Sequence, residues 1–266
     1  MLSTHLDGRN RGRLDVAIDA GDGRPVVLVH GLASSHVTFQ NVVKLLPHNR
    51  VIALDLLGFG ASIAPEAATF TIEEHVRALT DAINRLHLMA PFVLVGHSMG
   101  ALIGCRYAAG HPRRLAGLVL VSPPVYLAPD EFGDVHDRRA MRRYLGAYDF
   151  LRRNKWFTIQ EAALVEWLSP IRKAIEINKL DWQAFTLSLQ NTIETQTTIS
   201  DIAAVTCPIR VVYGSLDPFI MPAALRILGQ MRNVTVVRVP GADHLIRPRM
   251  AKEVAKAIAS IPAAAE

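Results

Sequence analysis

Ten residues, Phe92-Val93-Leu94-Val95-Gly96-His97-Ser98-Met99-Gly100-Ala101, restrict the fold of this chain more than any other stretch. The apolar run at its start reads as a short strand covered on both faces. The residues from Ala101 to Ala109 read as a helix. Between them, Gly96-His97-Ser98-Met99-Gly100 fits G-x-S-x-G, the pattern of a nucleophile elbow. A chain that turns from strand to helix at one residue holds that serine in a strained conformation and lifts its hydroxyl clear of the sheet. Neighbouring backbone passes so close that Gly96 and Gly100 must stay small. The hydroxyl then sits at a helix N-terminus, where unpaired amides and the dipole favour an anion.

Strands and helices alternate on both sides of this stretch. Leu14 to Asp19 alternates and reads as an edge hairpin strand, with Gly21-Asp22-Gly23 as its turn. Strand-like runs follow at Pro25–His30, Val51–Asp55, Leu115–Val121, Pro208–Gly214 and Val234–Val239. Val37 to Leu46 has helical spacing. Thr71 and Glu74 have capping-box spacing ahead of an apolar face of Val76, Leu79, Ile83 and Leu86. Further helices are expected over Ala223–Met231 and Pro248–Ile261. This alternation implies right-handed crossovers and a mainly parallel sheet.

From Val125 to Ser200 only helical patterns are visible. Met141, Tyr144, Leu145, Tyr148 and Leu151 share one face. Ala162 to Leu168 reads as a short helix. Trp182, Phe185, Leu189 and Ile193 mark another, with Asp181 as its N-cap. The three tryptophans, Trp156, Trp167 and Trp182, all fall in this region. The expected division is a core of residues 1–122 and 201–266, with 123–200 inserted as a helical cap that has an apolar underside.

Composition narrows the function. At 266 residues, 50% of them hydrophobic, the chain has material for one large α/β domain plus an insertion. No apolar run approaches the roughly 18 to 20 residues of a membrane helix, and the start is polar rather than signal-like. A cytoplasmic location is therefore expected, with peripheral membrane contact left open. Cys105 and Cys207 read as small core residues. No paired-cysteine or His-Glu-x-x-His pattern implies a metal. Gly58-Phe59-Gly60 lacks the third glycine of a dinucleotide site. The net charge is +5, and Arg138, Arg139, Arg142, Arg143, Arg152, Arg153 and Lys155 crowd one segment. No nucleic-acid-reading module accompanies them. They read as a solvated helix face, with an anionic membrane, an acidic partner or a charged substrate group as alternatives.

In open α/β sheets the functional residues lie beyond the C-terminal ends of the strands. Ser98, Asp217 and His244 all fall there, in the chain order that accompanies this elbow. A serine hydroxyl needs a base during attack. His244 can serve, with an unperturbed pKa near ~6.5, and Asp217 would fix its tautomer and stabilise the cation. The backbone amides of Leu32 and Met99 are candidate donors to the oxyanion. His30, Gly31, Gly96 and Gly100 would support these positions. Asp243, next to His244, is a competing acid, but adjacent loop residues usually point apart. Ser122-Pro123, after an earlier strand, offers no carboxylate. His97 is expected to pack or bond locally, and His111 to end a helix.

These signatures resemble the α/β-hydrolase fold family over nearly the whole chain. They are His30-Gly31, Asp55 to Ser62, Gly96 to Gly100, Gly214 to Pro218 and Gly241 to His244. The resemblance implies an eight-stranded sheet, a cap after the sixth strand and no organic cofactor. Ser98 stands where dehalogenases and epoxide hydrolases of this fold carry aspartate. Leu32-Ala33-Ser34-Ser35 and Leu245-Ile246-Arg247 depart from the pattern of carbon–carbon bond hydrolases. The expectation is a serine hydrolase of small to medium hydrophobic carboxylic esters, acting through an acyl-enzyme. Perhydrolase, lactonase, acyltransferase and carbon–carbon hydrolase chemistry, or a ligand-binding module on the same fold, are the alternatives.

Overall fold

The strand-like runs form strands close to the expected bounds in a computed structural model, which describes residues 11–126, 135–156, 158 and 182–262. They are β1 (Val16–Ala20), β2 (Arg24–Val29), β3 (Asn49–Leu54), β4 (Phe92–His97), β5 (Leu115–Val121), β6 (Ile209–Gly214) and β7 (Val234–Val239). Across the sheet the order is β1-β3-β2-β4-β5-β6-β7. Every pairing is parallel except that of β1 with β3. The described residues form seven strands, against the eight that the resemblance implies.

β1 is an edge strand, as its alternation suggests, but it is not one arm of a hairpin with β2. Both edges of β2 are occupied by parallel neighbours, β3 and β4, so β1 pairs antiparallel with β3 instead. The glycine turn carries the chain across the start of β3. A Cβ on Gly21 would lie 2.2 Å from the Asn49 carbonyl oxygen, and one on Gly23 2.0 Å from that of His48. Glycine is required there by close approach as much as by the turn.

Both faces of the sheet are covered, which explains the unbroken apolar runs. Val27 and Val29 of β2, Ile52 and Leu54 of β3, and Leu94 of β4 enter one core. Their chain neighbours Val26, Leu28, Val51, Ala53, Val93 and Val95 enter the other. The first core is closed by α2 (Ile72–Arg85) and α3 (Met99–Gly110), the second by α1 (Gln40–Val43) and α8 (Pro248–Ala259). The helix expected over Val37–Leu46 is instead a 3₁₀ turn, His36–Phe39, that runs into the short α1. At the head of α2, Thr71 Oγ1 accepts from the Glu74 amide at 3.3 Å. The Glu74 carboxylate does not return to Thr71. It accepts from the Thr69 and Phe70 amides at 2.8 and 2.7 Å, so the capping box is displaced outward.

Between β5 and β6 the elements among the described residues are helical. They are α4 (Val135–Arg153), α5 (Trp182–Ser188) running into a π-helical turn (Leu189–Ile193), and α6 (Thr198–Ala204); α7 (Pro222–Leu228) follows β6. Side-chain bonds join these helices to α3 and to the segment around the start of α2. Thr192 Oγ1 donates to the Phe70 carbonyl at 2.9 Å, and Asn191 Nδ2 to that of Thr69 at 2.7 Å. Arg106 of α3 bonds Glu73 and Asp201 at 2.8 Å each, and also Thr197, which clamps α2, α3 and α6 together. The helix expected over 162–168, with Trp167, and Asp181 lie outside the described residues. So do the side chains of Met141, Arg143, Tyr144 and Leu151.

Candidate active site

The backbone between β4 and α3 explains the spelling of the elbow. Ser98 has φ +53° and ψ −123°, a conformation that L-residues rarely adopt. Such a residue costs about 1–3 kcal/mol and persists only where its surroundings fix it. Here the Ser98 amide donates to the Val121 carbonyl at 2.9 Å. A Cβ on Gly96 would lie 2.3 Å from the Gly100 carbonyl oxygen. One on Gly100 would lie 2.3 and 2.4 Å from the Val29 and His30 carbonyls. Those contacts are to rigid backbone, so neither glycine can be enlarged without moving β2 or α3. Ser98 is half-buried, while Met99 beside it is fully buried.

Asp217 and His244 come from different loops and meet. His244 Nδ1 lies 3.0 and 2.9 Å from Asp217 Oδ1 and Oδ2. The carboxylate is inaccessible, whereas the His244 side chain is 17% exposed. The two loops are stitched together by the Leu216 amide, which donates to the Ala242 carbonyl at 2.9 Å. Burial acts to raise the Asp217 pKa. The hydrogen bond and charge of His244, with the Phe219 amide 2.9 Å from Oδ1, outweigh it and hold the group below its ordinary value. Ser122 Oγ is buried near this carboxylate but makes no hydrogen bond of regular geometry, so we credit the anchoring to the Phe219 amide. Asp243 is engaged elsewhere: Arg247 Nε donates to it at 2.9 Å and the Leu245 amide at 3.2 Å.

Ser98 reaches this pair through its neighbour. No hydrogen bond among the described residues joins Ser98 Oγ to His244. Catalytic hydrogen bonds are often long in free enzymes and tighten when substrate binds. His97 is buried, in keeping with the expectation that it packs, but its hydrogen bond is not local. Its Nε2–H donates to the main-chain carbonyl of His244 at 2.9 Å, and the two rings lie 5.0 Å apart. Burial depresses its pKa to about 3, so the ring is neutral. The residue before the elbow serine thus tethers the loop that carries His244. Nothing in the local sequence marks a contact across 147 positions.

A second neutral histidine organises the loop after β2. His30 Nδ1–H donates to the Gly31 carbonyl at 2.7 Å, and Nε2 accepts from the Leu56 amide at 2.8 Å. Burial lowers its pKa to about 4, which keeps the ring neutral, and the two hydrogen bonds fix the tautomer. The Gly31–Leu32 peptide is trans, so its N–H points opposite to its anchored carbonyl and therefore away from His30. Gly31 lies against the elbow, where a Cβ would be 2.8 Å from Ser98 Cβ. His111 ends α3 as expected, with Nδ1–H donating to the Tyr107 carbonyl at 2.9 Å.

Two further organising residues were missed in the sequence. Asp55, fully buried, accepts from the His36 amide at 2.7 Å, from His36 Nδ1 at 3.0 Å and from the Ala61 amide at 2.9 Å. A Cβ on Gly60 would strike its Oδ2 at 2.2 Å. The Asp-Leu-Leu-Gly-Phe-Gly-Ala-Ser run is therefore a loop wound around a buried carboxylate, and its glycine spacing was the available signal. His75 lies in the buried stripe of α2 and shares a 3.1 Å hydrogen bond with Ser188 at the end of α5. Its place among Ile72, Leu79 and Ile83 was the signal there.

A mainly parallel sheet with a strained serine between strand and helix, and an Asp–His pair on the loops after the last two strands, defines an α/β protein of hydrolase type. The chain belongs to the alpha/beta hydrolase family, which matches residues 26–257. It is 34% identical over 121 residues to probable lysophospholipase BODYGUARD 4 of Arabidopsis thaliana, a match covering 44% of this chain and 29% of that protein. It is 36% identical over 108 residues to 2-hydroxy-6-oxo-6-(2'-aminophenyl)hexa-2,4-dienoic acid hydrolase of Metapseudomonas resinovorans, covering 39% and 37%. The chain thus spans less than half the length of these curated relatives. An esterase structure from Thermogutta terrifontis superposes with a TM-score of 0.70 at 26% identity, covering 92% of this chain and 91% of that one. No described helix is long and apolar enough to cross a membrane.

Proposed function

We propose that this chain is a serine hydrolase that cleaves carboxylic esters of small to medium hydrophobic substrates through an acyl-enzyme. The observation that carries the reading is the inaccessible Asp217 carboxylate 2.9 Å from His244 Nδ1, on loops after β6 and β7 of the sheet whose β4 carries the elbow serine. In this reading Ser98 Oγ attacks the ester carbonyl carbon as its proton passes to His244 Nε2. The C–O bond to the alcohol then breaks, and His244 returns the proton to the leaving oxygen. Water repeats the sequence on the acyl-enzyme. Asp217 keeps the His244 proton on Nδ1, so that Nε2 is free to act as base. The amides of Leu32 and Met99 receive the oxyanion, each worth roughly 100- to 1,000-fold in rate. Met99 is the first residue of α3, so its N–H is one of the donors that a helix leaves unpaired. In this reading the helices between β5 and β6 cover the acyl site.

Turnover of a panel of p-nitrophenyl esters tests this. Ser98→Ala is expected to lower kcat by on the order of 10⁴-fold or more with an unchanged melting temperature. Turnover that persists in that variant contradicts the assignment. The identity to a carbon–carbon bond hydrolase favours one second reading, carbon–carbon bond cleavage by the same residues. Turnover of vinylogous 1,5-diketo acids in preference to every ester in the panel would select it.

A further inference from the structure

Helix α4 presents two different faces. On its inner side Tyr148 is buried, and its hydroxyl shares a 2.7 Å hydrogen bond with that of Tyr126. Arg152 bonds Asp149 at 2.7 Å and Glu194 at 3.5 Å. These contacts fix which side of the helix faces the protein. Positions 135, 139, 142, 146, 150 and 153 recur every three or four residues and so form one stripe. Every one of them is exposed. They are Val135, Arg139, Arg142, Gly146, Phe150 and Arg153. A Cβ on Gly146 would meet nothing within 4 Å. Arg138 flanks the stripe, and neither it nor Arg139 or Arg142 has an acidic partner among the described residues. The helix carries six arginines against two aspartates, and Asp149 is already paired with Arg152 and Arg153.

Exposed apolar side chains mark both ends of this face. Phe150 is 49% exposed and Trp156, just beyond the helix end, is 63% exposed. They are the exposed large aromatic residues among the described residues, and Val135 at the other end is 48% exposed. At 1.5 Å per residue, the 19-residue helix is about 28 Å long, so the stripe is an extended surface rather than a point. Arginines on the same face as exposed aromatic side chains match the two layers of an anionic lipid surface. The guanidinium groups meet the phosphates and carboxylates of the headgroups, and the rings enter the boundary with the acyl chains.

We propose that the outer face of α4 docks this chain onto an anionic lipid surface, with Phe150 and Trp156 inserted and Arg138, Arg139 and Arg142 on the headgroups. The docking does not depend on which bond the enzyme cleaves.

The test is cosedimentation of the full chain with phosphatidylcholine vesicles, with and without phosphatidylserine. Binding is expected to the mixed vesicles and to weaken steeply as salt rises. The Arg139→Glu/Arg142→Glu variant should bind about ten-fold more weakly or worse. The Phe150→Ser/Trp156→Ser variant should also bind more weakly, but with the salt dependence retained. Unchanged circular dichroism and melting temperature, together with unchanged turnover of a water-soluble ester, would show that both variants are folded. Three results would overturn the proposal: equal binding to both vesicle types, no sedimentation at low salt, or full binding by the arginine variant. A fourth is tight binding to polyglutamate with vesicle binding indifferent to the aromatic pair, which would mark an acidic macromolecule as the partner.

Discussion

Asp217→Asn is expected to lower kcat by about 10⁴-fold while leaving the fold intact, because it puts the His244 proton on the wrong nitrogen. The Phe219 amide donates to Asp217 Oδ1 at 2.9 Å, so the asparagine must keep its oxygen there. Its NH₂ group then falls at the Oδ2 position, 2.9 Å from His244 Nδ1. A donor there repels Nδ1–H, which keeps only Oδ1, 3.0 Å away and shared with the Phe219 amide, as acceptor. The balance shifts to the tautomer in which Nδ1 accepts from that NH₂ and the proton sits on Nε2, where the ring cannot accept one from Ser98. Asparagine has nearly the shape of aspartate, so packing is preserved. The loss should appear in kcat rather than KM, since substrate contacts are untouched. A variant that retains wild-type kcat would show that the Asp–His contact does not serve the chemistry.

Acidification from pH 7 to 5.5 is expected to remove about 3–4 kcal/mol of folding stability. Three fully buried histidines are responsible. Burial is the first cause in each case, and it lowers His30 to about 4 and His75 and His97 to about 3. Asp55, 3.9 Å from His30, works against that shift but does not reverse it. In the unfolded chain each imidazole titrates near ~6.5. Below that pH the unfolded state binds protons that the folded state refuses, so stability falls as pH falls. The loss runs from about 6.5 down to the folded values, and each histidine contributes roughly 1 kcal/mol between pH 7 and 5.5. Asp217, held below its ordinary value, adds its own loss only at lower pH, once protons compete for the carboxylate. Against a typical domain stability of about 5–15 kcal/mol, this is a large fraction. Urea titrations at the two pH values measure it. His75→Leu should remove about a third of the dependence, and a urea midpoint that ignores pH would contradict the account.

The parts of this protein that follow from local chemistry were legible in the sequence. The strands of a sheet covered on both faces have unbroken apolar runs, so β2 to β6 stand out by composition alone. The elbow is legible because backbone contacts at Gly96 and Gly100 forbid any side chain. Asp217 and His244 follow once the strands are placed, since parallel strands deliver their following loops to one end of the sheet. What was lost depends on pairing between distant segments. The β1 partner is decided by competition for the edges of β2 and β3, which the Gly21 turn does not reveal. The His97 tether ends on a main-chain carbonyl, and carbonyls carry no sequence signature. Asp55 read as the last residue of a strand before a glycine-rich loop, although that loop is shaped around it.

The central claim is that Ser98 is a nucleophile activated by His244, and its most direct measurement is intact-mass and peptide mapping after treatment with a fluorophosphonate. The account predicts one phosphonyl group per chain, on Ser98, with labelling lost in His244→Ala. A folded wild-type chain that stays unlabelled, or that carries the label on any other residue, would contradict it.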